Sequence, residues 1–259
     1  MADLQVTDDG ASRTITLDRP ERRNALDEAL IQDLTEAFRA VDEDRHVRIV
    51  VLRANGLAFS AGADLAYMRR MADFDEAENL ADARRLGALF EAIEHCRCPV
   101  VSLVQGPAIG GGVGLVAASD VAVASGDAVF AFSEVRLGLV PAVISPFVVR
   151  RIGLPAAKRL FLTGDRFDAV EAHRLGLVDE VGDDLDAAVE RVCGSLLQGA
   201  PGAHTATKQL VAAVDGLPLP EATRVTPPFI AAQRATPEAA EGIAAFFERR
   251  KATWATPEA

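Results

Sequence analysis

Val100-Val-Ser-Leu-Val104 shows no alternation of polar and apolar residues, so a strand formed there must be covered on both faces. Ile49-Val-Val-Leu52 has the same character. Around these runs the period changes. Leu26, Leu30, Leu34, Ala37, Phe38 and Val41 recur at helical spacing and predict an amphipathic helix over 27–44, and Leu86, Leu89, Phe90 and Ile93 predict a second helix that stops before Pro99. Arg13–Leu17 and Val121–Ala124 also read as strands. Doubly covered strands separated by helices pair in parallel through crossovers, so an α/β core is expected over roughly the first 140 residues. Beyond Pro141 the reading is helical throughout, over 146–153, 155–162, 168–175, 185–199, 201–215, 220–234 and 237–251.

Composition narrows the function. Lys and Arg number 27 against 38 Asp and Glu, a formal charge of −11 that repels phosphate backbones and speaks against nucleic acid as a partner. No apolar run approaches the roughly 20 residues that span a bilayer, and MADLQVTDDGASR lacks the basic and apolar regions of a signal peptide, so a cytoplasmic protein without a membrane partner is expected. Three cysteines, Cys96, Cys98 and Cys193, do not make a disulfide framework, and Cys96-x-Cys98 has no second pair to complete a metal site. Basic residues cluster at Arg19, Arg22 and Arg23 and at Arg249, Arg250 and Lys251; these are either solvated surface or two patches for an anionic ligand.

Two turns carry the chemical signal. Phe59-Ser-Ala-Gly-Ala-Asp64 follows a strand and lets a ligand approach the main chain. Gln105-Gly-Pro-Ala-Ile-Gly-Gly-Gly112 leads straight into a helix, whose first N–H groups lack internal partners and carry partial positive charge. Two such N–H groups converging on one oxygen make an oxyanion hole for a thioester enolate. No Gly-Lys-Ser/Thr follows, which excludes a P-loop, and no G-x-G-x-x-G is present.

Phe59-Ser-Ala-Gly-Ala-Asp-Leu65 and Gly110-Gly-Gly-x-x-Leu115 followed by Asp120 resemble the two signature turns of the crotonase (enoyl-CoA hydratase/isomerase) family. The likeness extends to Arg19-Pro-Glu-Arg-Arg-Asn-Ala-Leu26, Ser133-Glu-Val-Arg-Leu-Gly-Leu139 with Pro141, Leu162-Thr-Gly, Glu171 to Asp179, and Glu241 to Lys251, and so covers essentially the whole chain. The resemblance implies a spiral of ββα units with a helical C-terminal region: a core over 1–195 and a trimerisation region over 196–259 in one structural unit, assembled as a homotrimer or a dimer of trimers. It implies an acyl-CoA substrate, with coenzyme A as part of that substrate and neither a metal nor a redox cofactor. The N–H groups of Ala63 and Gly111 would form the oxyanion hole. Arg23, Ala25, Ala61, Asp64 and Leu65 would lie near coenzyme A, and Lys251 would approach it from a neighbouring subunit, unless it serves only as a helix-end cation.

The chain departs from the ordinary pattern at Gly114, where hydratases of the family carry the first of two glutamates. The second is present as Glu134, which is either the remaining acid–base group or a surface partner of Arg136. The flanking segments are similar to bacterial methylglutaconyl-CoA hydratases of leucine degradation, whose substrates are branched and carry a second carboxylate; Gly114 is then expected to make room for the branch. A hydratase is the leading expectation. An isomerase using Glu134 alone, a decarboxylase, a dehydratase and a non-catalytic acyl-CoA- or RNA-binding relative are the alternatives. Tyr67 and Met68 line the acyl pocket or pack in the core, Phe246 and Phe247 are expected to pack, Trp254 reads as a packing anchor, and the four histidines share no motif.

Overall fold

The computed structural model describes residues 3–255. A hairpin of β1 (Leu4–Asp9) and β2 (Ser12–Leu17) opens the chain, and α1 (Glu28–Glu43) crosses to β3 (Ile49–Ala54). Asp27 starts α1 by accepting the Leu30 N–H, and the helix buries Leu30, Ile31, Leu34, Phe38 and Val41. Next come α2 (Leu65–Met71), α3 (Glu76–Glu94), β4 (Val100–Val104), β5 (Ala108–Ile109), α4 (Gly111–Ala118), β6 (Val121–Ala124) and β7 (Val129–Ala131). Asp75 and Glu78 form a reciprocal capping box at the start of α3. The remaining elements are α5 (Ser145–Ile152), α6 (Leu154–Thr163), β8 (Arg166–Asp168), α7 (Ala169–Leu175), β9 (Glu180–Val181), α8 (Leu185–Leu197), α9 (Pro201–Val214), α10 (Leu219–Arg234) and α11 (Pro237–Glu248).

The strands form a six-stranded sheet in the order β1-β2-β3-β4-β6-β9, parallel except for the β1/β2 hairpin, and a three-stranded sheet in the order β5-β7-β8. The reason is the one visible in the sequence: β4 is buried at every residue and needs a layer on each side. The main core with α1, α3 and α4 covers one face; Cys193, Val189 and Val192 of α8 cover Ile49, Val51 and Val101 on the other. Helix α4 is apolar all round and buried from Gly112 to Ala118, as its central position requires. An isolated bridge from Ser60 to Ala108 stitches the Phe59–Asp64 loop onto β5 of the second sheet, and another from Leu26 to Ala63 ties that loop to the segment before α1. That stitching positions the site.

The predicted strands and helices are present, with boundaries shifted by a few residues. Strand β1 was not expected because LQVTDD is exposed along almost its whole length and offers no apolar run. β5, β7, β8 and β9 have two or three residues each, too few for a period, and exist because neighbouring strands pair with them. Phe246 and Phe247 do not pack into this chain: each is 78% exposed, and they meet only edge to face. Among the described residues, no helix is long and apolar enough to cross a membrane.

Candidate active site

The Phe59–Asp64 loop is held by a buried polar bracket. Asn24, with φ 53°, donates to the carbonyls of Asn55 and Ala58 at 2.8 Å each and accepts the Arg19 N–H. Arg19 is 3% exposed and pairs with Asp27 at 2.9 Å and Asp3 at 3.1 Å. Gly62 has φ 85°, and a Cβ there would lie 2.8 Å from the Ile109 carbonyl, so the two turns meet backbone to backbone. The Leu26 N–H donates to Gly62 and the Asp64 N–H donates to Leu26, and the Ala63 N–H between them has no partner among the described residues. Gly111 is the first residue of α4, and its N–H has no partner among the described residues. Ala63 and Gly111 line the same cavity, about 350 Å³ in volume.

Glu134 enters that cavity from the turn after β7. Gly110, φ 51°, lets the carboxylate lie against the α4 turn: a Cβ at 110 would stand 3.0 Å from Glu134 Oε1. Glu134 Oε2 is buried without a hydrogen-bond partner. Burial raises the pKa of this carboxyl, opposed only by a hydrogen bond to its own backbone. Arg136 is not its partner, because that guanidinium donates to Asp165 at 2.8 Å. The arrangement sets two free N–H donors and one elevated carboxyl around a largely apolar space walled by Leu26, Ile31, Met68, Met71, Leu86 and Ile144. Such a set can hold an enolate oxygen and move a proton beside it.

Gly114 requires a correction. It is fully buried and does not line the cavity. A Cβ at 114 would lie 2.5 Å from Ile144 Cγ2 and 2.7 Å from Phe90 Cζ. The space beside Gly114 is therefore filled by the protein's own side chains rather than left for a substrate branch.

Of the expected coenzyme A contacts, Ala61 and Leu65 line the cavity, Leu65 at 77% exposure. Arg23 is exposed nearby, and its carbonyl accepts the Ala61 N–H at 2.9 Å. Ala25 is buried, with its carbonyl taken by Arg19. Asp64 caps α2 by accepting the Ala66 and Tyr67 N–H groups, so it shapes the turn from behind. Lys251 is exposed beyond α11 and does not line this chain's cavity. The basic clusters are partly committed internally: Arg250 makes a two-pronged pair with Glu241, which also accepts the Thr253 N–H. Tyr67 and Met68 line the cavity. Trp254 anchors the C-terminal end, its indole donating to the Gln198 carbonyl at 3.2 Å.

Asp82, which the sequence reading missed, also faces the cavity. A signal for it existed. Asp82, Leu86, Phe90 and Ile93 fall on one stripe of α3, with a carboxylate continuing an apolar face.

A family profile described as enoyl-CoA hydratase/isomerase matches residues 9–257. A crystal structure of an enoyl-CoA hydratase from Shewanella pealeana superposes with a TM-score of 0.95 at 40% identity, covering 98% of this chain and 96% of that one. Pseudomonas aeruginosa AtuE superposes with a TM-score of 0.92 at 40% identity, covering 98% and 100%. An enoyl-CoA isomerase/hydratase of Mycosarcoma maydis is 34% identical over 209 residues, 76% of this chain and 75% of that protein.

Proposed function

This chain belongs to the enoyl-CoA hydratase/isomerase family, and we propose that it adds water across the α,β double bond of an enoyl thioester of coenzyme A, with Glu134 as the single carboxylate at the reacting carbons. The observation that carries this reading is the buried Glu134 carboxylate with its unpartnered Oε2, in one cavity with the free Ala63 and Gly111 N–H groups. Glu134 takes a proton from water as the oxygen bonds to the β-carbon. The π electrons move onto the thioester oxygen, where the two N–H groups hold the enolate. Glu134 then returns the proton to the α-carbon, so the product equals substrate plus one water. The same observation favours a second reading. One carboxylate beside the hole also suffices to shuttle a proton and move a double bond.

For the acyl group, the wide apolar cavity with its two methionines supports a branched chain. The methylglutaconyl type rests on motif likeness, and its second carboxylate would meet no Lys, Arg or His among the described lining residues. Purified protein given crotonyl-, 3-methylcrotonyl- and 3-methylglutaconyl-CoA in parallel is expected to add one water to a branched thioester, read by mass spectrometry. An isobaric product with a moved double bond would select the isomerase, and unchanged mass with no rearrangement on all three would sink hydration.

The homotrimeric or hexameric assembly is part of the proposal. It is supported by α9 and α10, which bury no residue fully, and by Ile243, Phe246 and Phe247 exposed on α11. Light scattering is expected to give the mass of three or six chains. The double variant Phe246→Asp, Phe247→Asp is expected to dissociate, and a wild-type mass of one chain would end this reading.

A further inference from the structure

The polar groups of the cavity are placed unevenly. Ser133 and Glu134 stand on one wall; Tyr67 and Asp82 stand on the wall made by α2 and α3. Tyr67 is 3% exposed, and its hydroxyl donates to Asp82 Oδ1. Burial, then the Asp82 hydrogen bond, push the phenol pKa up, so Tyr67 stays neutral and keeps its proton as a donor. Arg85 donates to the same Asp82 oxygen at 3.0 Å. Asp82 Oδ2 accepts no hydrogen bond from the described residues, and the side chain is 12% exposed. The nearby cations are already matched. Arg85 also pairs with Glu28 at 3.4 Å, and Arg70 pairs with Glu28 at 3.5 Å while its guanidinium sits 5.5 Å over the Tyr67 ring.

Asp82 thus lines the cavity with one oxygen held by a phenol and a guanidinium and the other without a donor among the described residues. Tyr67 lies in the first turn of α2, which starts just after Ala63 and Asp64. The wall therefore lines the same cavity as the Ala63 and Gly111 N–H groups. An acyl chain whose thioester oxygen lies in that hole extends into the same cavity that this wall lines.

We propose that Asp82, positioned by Tyr67 and Arg85, determines specificity for the acyl tail: it holds a tail ending in a hydroxyl and turns away one ending in a carboxylate. The proposal rests on the acyl-thioester reading of the cavity but not on the reaction performed there. A hydroxyl gains a charge-assisted hydrogen bond to Oδ2. A second carboxylate meets Asp82 and Glu134 in a low-dielectric space without a cation of its own.

The test uses three saturated coenzyme A thioesters that cannot be hydrated: 3-methylpentanoyl-, 5-hydroxy-3-methylpentanoyl- and 3-methylglutaryl-CoA. Dissociation constants from calorimetry read the wall alone. Wild-type protein is expected to bind the hydroxyl compound about tenfold tighter than the methyl compound, and the carboxylate compound weakest. Asp82→Asn is expected to bring the hydroxyl and carboxylate compounds within about threefold of each other, because the charge has gone and an amide can also donate. Tyr67→Phe keeps the carboxylate and is expected to keep the order with a smaller spread. Equal or tighter binding of the carboxylate compound by wild type would overturn the proposal, whether or not either variant folds. So would an unchanged order and spread in folded Asp82→Asn. If this order holds while none of the corresponding enoyl thioesters gains water, hydration fails and the specificity proposal stands.

Discussion

Glu134→Gln lowers kcat by roughly 10²–10⁴, the range expected when a positioned acid–base group is removed, and leaves KM nearly unchanged. Glutamine keeps the shape of the side chain against Gly110 but cannot exchange a proton with water or carbon. The thioester oxygen is still held by the Ala63 and Gly111 N–H groups, so binding survives while the step needing the carboxylate does not. The pH profile gives an independent check. Burial raises the Glu134 pKa above its ordinary 4.5, so wild-type kcat/KM falls as pH drops through that raised value, and the variant loses this acid limb. Stability moves the opposite way. Between 4.5 and the raised value the folded state holds a proton that the unfolded chain has released, so stability declines as pH rises through this window. Glu134→Gln removes that cost and is expected to melt no lower than wild type at neutral pH. A variant retaining activity within threefold would take Glu134 out of the mechanism.

The second large effect is expected at Gly114, where sequence and structure part. Alanine in a helix interior is worth about 1 kcal/mol over glycine. Here the added methyl meets Ile144 at 2.5 Å and Phe90 at 2.7 Å, and the Phe90 ring is itself fully buried. Overpacking costs about 1–3 kcal/mol, and with two buried neighbours under 3 Å it is expected to outweigh the propensity gain. Gly114→Ala is therefore expected to lower stability by about 1–2 kcal/mol in chemical denaturation. Gly114→Glu adds an unpaired carboxylate to the same place, a loss of at least about 3–5 kcal/mol out of a total near 5–15. It is expected to be largely insoluble rather than to regain a two-carboxylate hydratase. Adding Phe90→Leu to Gly114→Ala should recover part of the loss, because the two changes share one volume. A stabilised Gly114→Ala would mean that the space beside Gly114 is open after all, as the sequence reading expected.

What the sequence determined by itself was local in its physical cause. The unbroken apolarity of Val100–Val104 demanded a strand covered on both faces, and the helical spacing of Leu30, Leu34, Phe38 and Val41 demanded a helix with one buried stripe. The two glycine turns were legible as places where backbone N–H groups are left open to a ligand, while Ala63, Gly111 and Glu134 were singled out by the resemblance to the family's motifs, and the structure gathers these three around one cavity. Tertiary structure alone decided which groups share a volume. Asp82 reaches the site because α3, packed against α1 and α4, brings that carboxylate to the Tyr67 hydroxyl, and a carboxylate on a helical stripe does not say what it faces. Gly114 looked like an opening because an absent side chain reads as space. It is closed because Phe90 of α3 and Ile144 of the turn before α5 pack into the gap. Close-packed interiors leave few voids, so whether a missing side chain makes a pocket depends on distant neighbours, and that information is three-dimensional.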